Sequence, residues 1–222
     1  MSQKSAMRNR ESREFGQVQM DLFHAARNNN LDEMTAAIAA GADPLKPSAD
    51  GFNAAQIAMI NNSAPCAQSL LGMAGVMDVI DEHGRDLCAL AATAGSLDCV
   101  MLFYPAGKKR TTRDPSSALA WAISGGESCI SCAEFLMADP EARGPAKSFH
   151  GFTPLMAAAR FGNAELVAKL LPLEDALHES SSGETAMSQA LGSGDEACIS
   201  LIEAAVFASL TPEPKKSRRR AL

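Results

Sequence analysis

Apolar residues in the stretch Gly151 to Leu171, GFTPLMAAARFGNAELVAKLL, fall in two short runs at helical spacing with a turn between them. Leu155, Ala158 and Ala159 share one face of the first run; Leu166, Val167, Leu170 and Leu171 form the stripe of the second. Thr153 is placed to cap the first helix, and Pro154 is tolerated in its first turn, where no backbone donor is needed. Gly162 and Asn163 end that helix, because both accept a left-handed backbone at low cost. Glu165 begins the second helix. Helices this short cannot bury their stripes alone, so the pattern requires neighbours of the same kind.

The chain supplies them. Ala158 has equivalents at Ala25, Ala58, Ala91, Ala122 and Ala190, at successive intervals of 33, 33, 31, 36 and 32 residues. A turn glycine before the first helix recurs as Gly51, Gly84, Gly151 and Gly183, and is missing from the first and fourth units. The turn between helices recurs as Asn29-Asn30, Asn62-Ser63, Gly95-Ser96, Gly126-Glu127 and Gly194-Asp195. The second-helix apolar pair returns as Leu70-Leu71 and Phe103-Tyr104, and the first unit adds Gly41-Ala42-Asp43.

A period near 33 residues that carries T-P-L, A-A, G-N, L-L and G-A-D elements resembles the ankyrin repeat, over about residues 20 to 205. Only the fifth unit has Thr-Pro-Leu intact, at Thr153 to Leu155. The others read Asn53-Ala54-Ala55, Asp86-Leu87-Cys88, Ser117-Ala118-Leu119 and Thr185-Ala186-Met187. The family's usual histidine is replaced by Phe23, Gln56, Ala89, Ala120, Met156 and Ser188. In the family that histidine ties neighbouring loops together, so its loss leads us to expect irregular hairpin loops. The resemblance implies an all-α ankyrin-repeat solenoid of about six helix-turn-helix units with finger-like connecting loops. The solenoid is expected over residues 16–210, between a mobile segment at 1–15 and a basic disordered tail at 211–222. A helix from Glu14 to Arg27 would cover one end. The sixth unit, Glu184 to Leu210, would close the other, with Ile199, Ile202, Val206 and Phe207 as the stripe of its last helix.

Composition agrees with close-packed helix pairs: 46% of residues are hydrophobic but only 5% aromatic. No run of eighteen apolar residues appears, so no membrane span is expected. The first residues lack the apolar stretch of a secretory signal. The six cysteines sit inside helical patterns and read as reduced, buried side chains of a cytoplasmic protein. The net charge is −6, from 20 basic and 26 acidic residues. Four basic and one acidic residue lie in the first thirteen positions, and five and one in the last twelve. The body between keeps 11 basic against 24 acidic residues. That balance argues against a broad DNA-binding face and favours a partner protein with a basic or mixed-charge surface.

Candidate contacts follow from the resemblance, which implies that residues beside the loop turns and just after the alanine pair face the concave side. These are Asn28, Phe52, Arg85, Trp121, Phe152, Arg160 and Phe161. Trp121 reads either as half-buried packing or as a binding anchor, and the three phenylalanines either as loop packing or as an apolar hot spot. The loop from Gly72 to Arg85, with Met73, Val76, Met77, Val79 and Ile80, reads either as packing on the next loop or as an exposed patch. Lys108, Lys109, Arg110 and Arg113 gather in a further loop, as a solvated tip or a contact for an acidic partner. Cys129 and Cys132 form a lone CxxC. Without a second pair at finger spacing it reads as packing rather than zinc or redox chemistry. His24, His83, His150 and His178 show no metalloprotease spacing, and no phosphate-binding glycine loop or nucleophile elbow appears. Neither catalysis, nor a cofactor, nor a metal, nor a small-molecule substrate is expected. The leading reading is a non-catalytic protein-binding module, with a bacterial effector or target-masking inhibitor as its subtype. The alternative is a nucleic-acid-associated regulatory factor that uses the basic ends and the 108–113 loop. The run Lys215 to Arg220 is also a candidate address for secretion or nuclear import. In a gel-shift titration with duplex DNA, the acidic body is expected to give no shift even at low salt; a salt-sensitive shift would favour the alternative.

Overall fold

The computed structural model describes residues 16–104, 111–112, 114–145 and 151–210. The segments 1–15 and 211–222 lie outside the described residues, as do Lys108, Lys109, Arg110, Arg113 and His150. The described residues form six helix pairs: α1 (16–27) with α2 (Leu31–Ala39), α3 (Ala54–Ile60) with α4 (Ala64–Leu71), α5 (Leu87–Thr93) with α6 (Leu97–Met101), α7 (Pro115–Ser124) with α8 (Ile130–Met137), α9 (Pro154–Arg160) with α10 (Ala164–Leu170), and α11 (Ala186–Ser193) with α12 (Glu196–Leu210). The odd-numbered helices α3 to α11 stack in chain order as one row. The even-numbered α2 to α8 form a second row beside it, and α10 packs on α12.

Local chemistry sets each pair. Four residues after each anchor alanine the chain turns through a left-handed residue: Asn29 (φ 57°), Asn62 (53°), Gly95 (73°), Gly126 (76°), Gly162 (64°) and Gly194 (74°). Only Gly and Asn reach this conformation cheaply, which explains the residue choice at all six turns. Asn53, Asp86, Asp114, Thr153 and Thr185 each cap the first helix of a unit by accepting the amide at N3. Where the family has histidine, Gln56, Met156 and Ser188 accept the amide of the capping residue in return, so each closes a capping box. The hairpin loops, expected to be irregular, keep one geometry in three units: the amides of Ser48, Asp81 and Ser180 donate to the carbonyls of Phe52, Arg85 and Glu184 at 2.8, 3.0 and 2.9 Å.

The anchor alanines Ala25, Ala58, Ala91, Ala122, Ala158 and Ala190 are all fully buried. So is most of each of three inner helices, α3, α5 and α9, around its whole circumference: Ala54 to Met59, Leu87 to Ala92 and Pro154 to Ala159. The single apolar face expected for these helices is therefore too narrow a description. Each is enclosed by its own partner and by the units before and after, and small side chains let the backbones approach that closely. Side chains of one unit also reach carbonyls of the unit before it. Ser63 and Ser96 donate to the carbonyls of Arg27 and Ile60, each at 3.3 Å, and Cys129 Sγ to that of Thr93 at 3.1 Å. Cys66 and Cys99 do the same toward Ala25 and Ala58 at 3.8 and 3.7 Å.

Both ends depart from expectation in detail. At the first, buried Gln19 clamps both the amide and the carbonyl of Asp43 at 2.9 Å, tying α1 to the exit of the first unit. At the last, Ile202 is buried but Phe207 is 70% exposed, so Phe207 does not belong to the packed stripe of α12. Phe103 and Tyr104 lie beyond the end of α6, where Phe103 is buried and Tyr104 packs edge-on against Phe135 at 5.4 Å. In the second loop Val76 is fully buried, whereas Ile80 is 57% exposed, so packing takes the centre of that segment and leaves its end outside.

The fourth unit differs most. Its first helix begins at Pro115 behind the cap Asp114, so Ser117, the counterpart of Thr153 in the repeat alignment, lies buried inside the helix. The third and fourth units then meet at unusually short range. A Cβ on Gly125 would stand 2.4 Å from Cys129 Sγ and 2.8 Å from the Thr93 carbonyl oxygen. Gly125→Ala is therefore expected to destabilise the protein by about 2 kcal/mol, the scale of an overpacked core. Gly192→Ala, with nothing within 4 Å of its Cβ, serves as the control; urea unfolding of the two variants checks this.

Candidate functional site

The finger loops and the row of inner helices bound a groove with two adjoining clefts. The first, of about 520 Å³, lies between the fingers of the second and third units. Phe52 and Arg85 line it, together with Asp50, Asp78, Asp81, Glu82 and His83. The second, of about 530 Å³, lies over α7 and α9 and is lined by Trp121, Phe152, Arg160 and Phe161, with His83, Ser182 and Glu184 at its margin. Six of the seven residues chosen from the sequence thus line two neighbouring clefts. Asn28, exposed in the turn between α1 and α2, lines neither.

The junction of the clefts is held by charge. Asp81 Oδ1 accepts the amides of His83 and Arg85 at 2.9 Å, and its Oδ2 accepts Arg85 Nε at 2.6 Å. This ion pair is shielded, with side-chain exposures of 13% and 4%. The guanidinium so fixed lies 5.0 Å from the centre of the Trp121 ring, within cation–π range. The His83 ring is 6.4 Å from Trp121, tilted at 45°. Trp121 is therefore braced from the third unit while it stays half-buried at the cleft floor. Phe161, at the C-terminal end of α9, is 53% exposed, and Phe52 and Phe152 are half-buried. Sequence reasoning marked Arg85 and Trp121 separately; it did not find Asp81, whose role depends on the folded finger.

The cysteines point elsewhere. All six are buried free thiols. Burial pushes Cys99 and Cys198 up to about 12 and Cys132 up to about 11, so these thiols stay protonated at neutral pH. Among the described residues no group of three His, Cys, Asp or Glu side chains is arranged to hold a metal ion, and no helix is long and apolar enough to cross a membrane.

A family model for ankyrin repeats, in three copies, matches residues 88–175 and 119–211, more than half of the chain. The chain belongs to the ankyrin repeat family. No curated protein matches it. Among solved structures, an ankyrin repeat domain from Acinetobacter baumannii AYE is 20% identical, with a TM-score of 0.59 over 83% of this chain and 97% of that one. A chain from the complex of a predatory endopeptidase of Bdellovibrio bacteriovorus with an immunity protein is 17% identical, with a TM-score of 0.61 over the same shares. At these identities the likeness speaks to fold. Ankyrin repeats are generally protein-interaction modules, and here the fingers and inner helices form the groove just described.

One buried carboxylate adds a pH dependence to the fifth and sixth units. Glu174, in the loop after α10, accepts the Leu155 amide at 3.0 Å, in the first turn of α9. Burial raises it to about 8, against the pull of that amide, the Thr153 hydroxyl and Arg143. The folded state therefore keeps a proton that the unfolded chain releases near its usual carboxylate range. Stability is full below that range and falls as pH rises toward 8. Glu174→Gln is expected to flatten this slope and to be the more stable protein at pH 8 by roughly 4 kcal/mol, with little difference at pH 4. Denaturant unfolding at the two pH values measures it, and an unchanged slope would mean that Glu174 is ionised in the fold.

Proposed function

We propose that this ankyrin repeat protein is a non-catalytic binding module that captures a partner protein in the groove and masks part of its surface, as an inhibitor or a delivered effector does. The observation that carries this reading is the aromatic cluster of Trp121, Phe152 and Phe161, half-open to solvent on a row of rigid helices. An apolar surface of this kind, left partly outside the core, fits the centre of an interface. Its frame is ordered in advance by Asp81 and Arg85, so little conformational freedom is lost on binding. The fold likeness to a chain of an endopeptidase–immunity protein complex is in keeping with a masking role. The acidic body favours a partner whose contact surface is basic or of mixed charge, and the basic residues Lys215 to Arg220 fit an address signal.

Affinity capture from the native cell followed by mass spectrometry tests the reading. Wild-type protein is expected to retain a specific protein that a Trp121→Ala, Phe152→Ala, Phe161→Ala variant loses. Each anchor should contribute at least about 2 kcal/mol, or roughly thirtyfold in affinity. Because Phe161 is exposed, Phe161→Ala alone should leave the unfolding midpoint nearly unchanged. Equal capture by wild type and the folded triple variant would place the interface elsewhere.

A further inference from the structure

The two clefts differ in charge, and the difference is ordered along the stack. The cleft between the second and third fingers presents the exposed carboxylates of Asp50 and Glu82, the latter 3.7 Å from His83 Nε2. Its one guanidinium, Arg85, is already neutralised by Asp81. Two units further on, at the far side of the aromatic cleft, the exposed Arg160 makes no ion pair among the described residues, although the body holds 24 acidic residues against 11 basic. The carboxylate that shares this cleft, Glu184, is engaged at both oxygens, by Gln189 Nε2 and Ser182 Oγ, each at 3.0 Å. Between the two charges lie Trp121, Phe152 and Phe161. His83 lines both clefts, so the path from one to the other is continuous.

We infer that the groove takes an extended segment of a partner protein in one orientation. The segment carries an acidic side chain on Arg160, a large apolar or aromatic side chain against Trp121, Phe152 and Phe161, and a basic side chain at Asp50 and Glu82. The inference rests on the protein-capture reading and specifies its ligand. The apolar anchor supplies most of the affinity, and the opposite charges at the two ends set the direction. A segment laid in reverse would set like charges together at both ends. Two repeat steps of roughly 8–10 Å each separate the charged ends, a span of about five or six extended residues.

Heptapeptides of random sequence displayed on phage, selected against the immobilised full-length protein, test this directly. The selected peptides are expected to share an acidic, a large apolar and a basic position in a single order. A synthetic peptide of that consensus should bind with a change in fluorescence of Trp121, the only tryptophan. Arg160→Glu should weaken the peptide at least tenfold, and replacing the peptide's acidic residue with lysine should restore binding to that variant. Recovery by exchanged charge is a result that a purely structural role for Arg160 would not give. Peptides without a fixed charge order, a consensus indifferent to Arg160→Glu, or no selected peptide at all would overturn the inference. The capture of a native partner, assessed with the aromatic triple variant, decides the parent reading separately.

Discussion

The architecture depends on carbonyl groups that one unit cannot satisfy and the next one can. A helix leaves its last carbonyls without internal partners. In this stack the carbonyls of Arg27, Ile60 and Thr93 receive a hydroxyl or thiol from the following unit, at Ser63, Ser96 and Cys129. Each such bond contributes only about 0.5–1.5 kcal/mol, but it fixes how one unit sits on another. The fully buried alanines make that approach possible, since a larger side chain on either helix would hold the backbones apart. At the first three junctions this pairing sets the register between units, and with it the placing of the fingers there.

The cysteines acquire their meaning from the same contact. Cys66 and Cys99 stand eight residues after the anchor alanines of their units, and each reaches the alanine carbonyl of the preceding unit. A thiol is small enough for the gap, apolar enough for the core and still able to donate weakly. Raised by burial, the thiols of Cys99, Cys132 and Cys198 have the character of packing groups rather than nucleophiles.

The groove gains its distinct chemistry where the repeat is least regular. In the fourth unit α7 starts with Pro115, seven residues before Ala122, at the position that holds a finger glycine in the second, third, fifth and sixth units. The same unit carries Trp121, where the other units place His24, Ile57, Leu90, Ala157 and Gln189. The regular third unit supplies the brace for it, through an ion pair shielded inside a finger. An acidic surface elsewhere makes Arg160 stand out, because long-range attraction and the local contact there favour different parts of a partner.

The repeat is written in the order of residues: six alanines at intervals of 31 to 36 residues, and a Gly or Asn four places after each, where the backbone must turn left-handed. These are local requirements of sterics and capping, so they are written residue by residue and can be read that way. It also placed six of seven candidate contacts along one groove, because position within a repeat specifies orientation once the units stack. Tertiary structure alone decided the rest. Burial all round the inner helices, the early start of α7, the exposure of Phe207 and the clamp of Asp81 and Arg85 beneath Trp121 each depend on neighbours. Neighbours brought together by stacking carry no signature in the spacing along the chain.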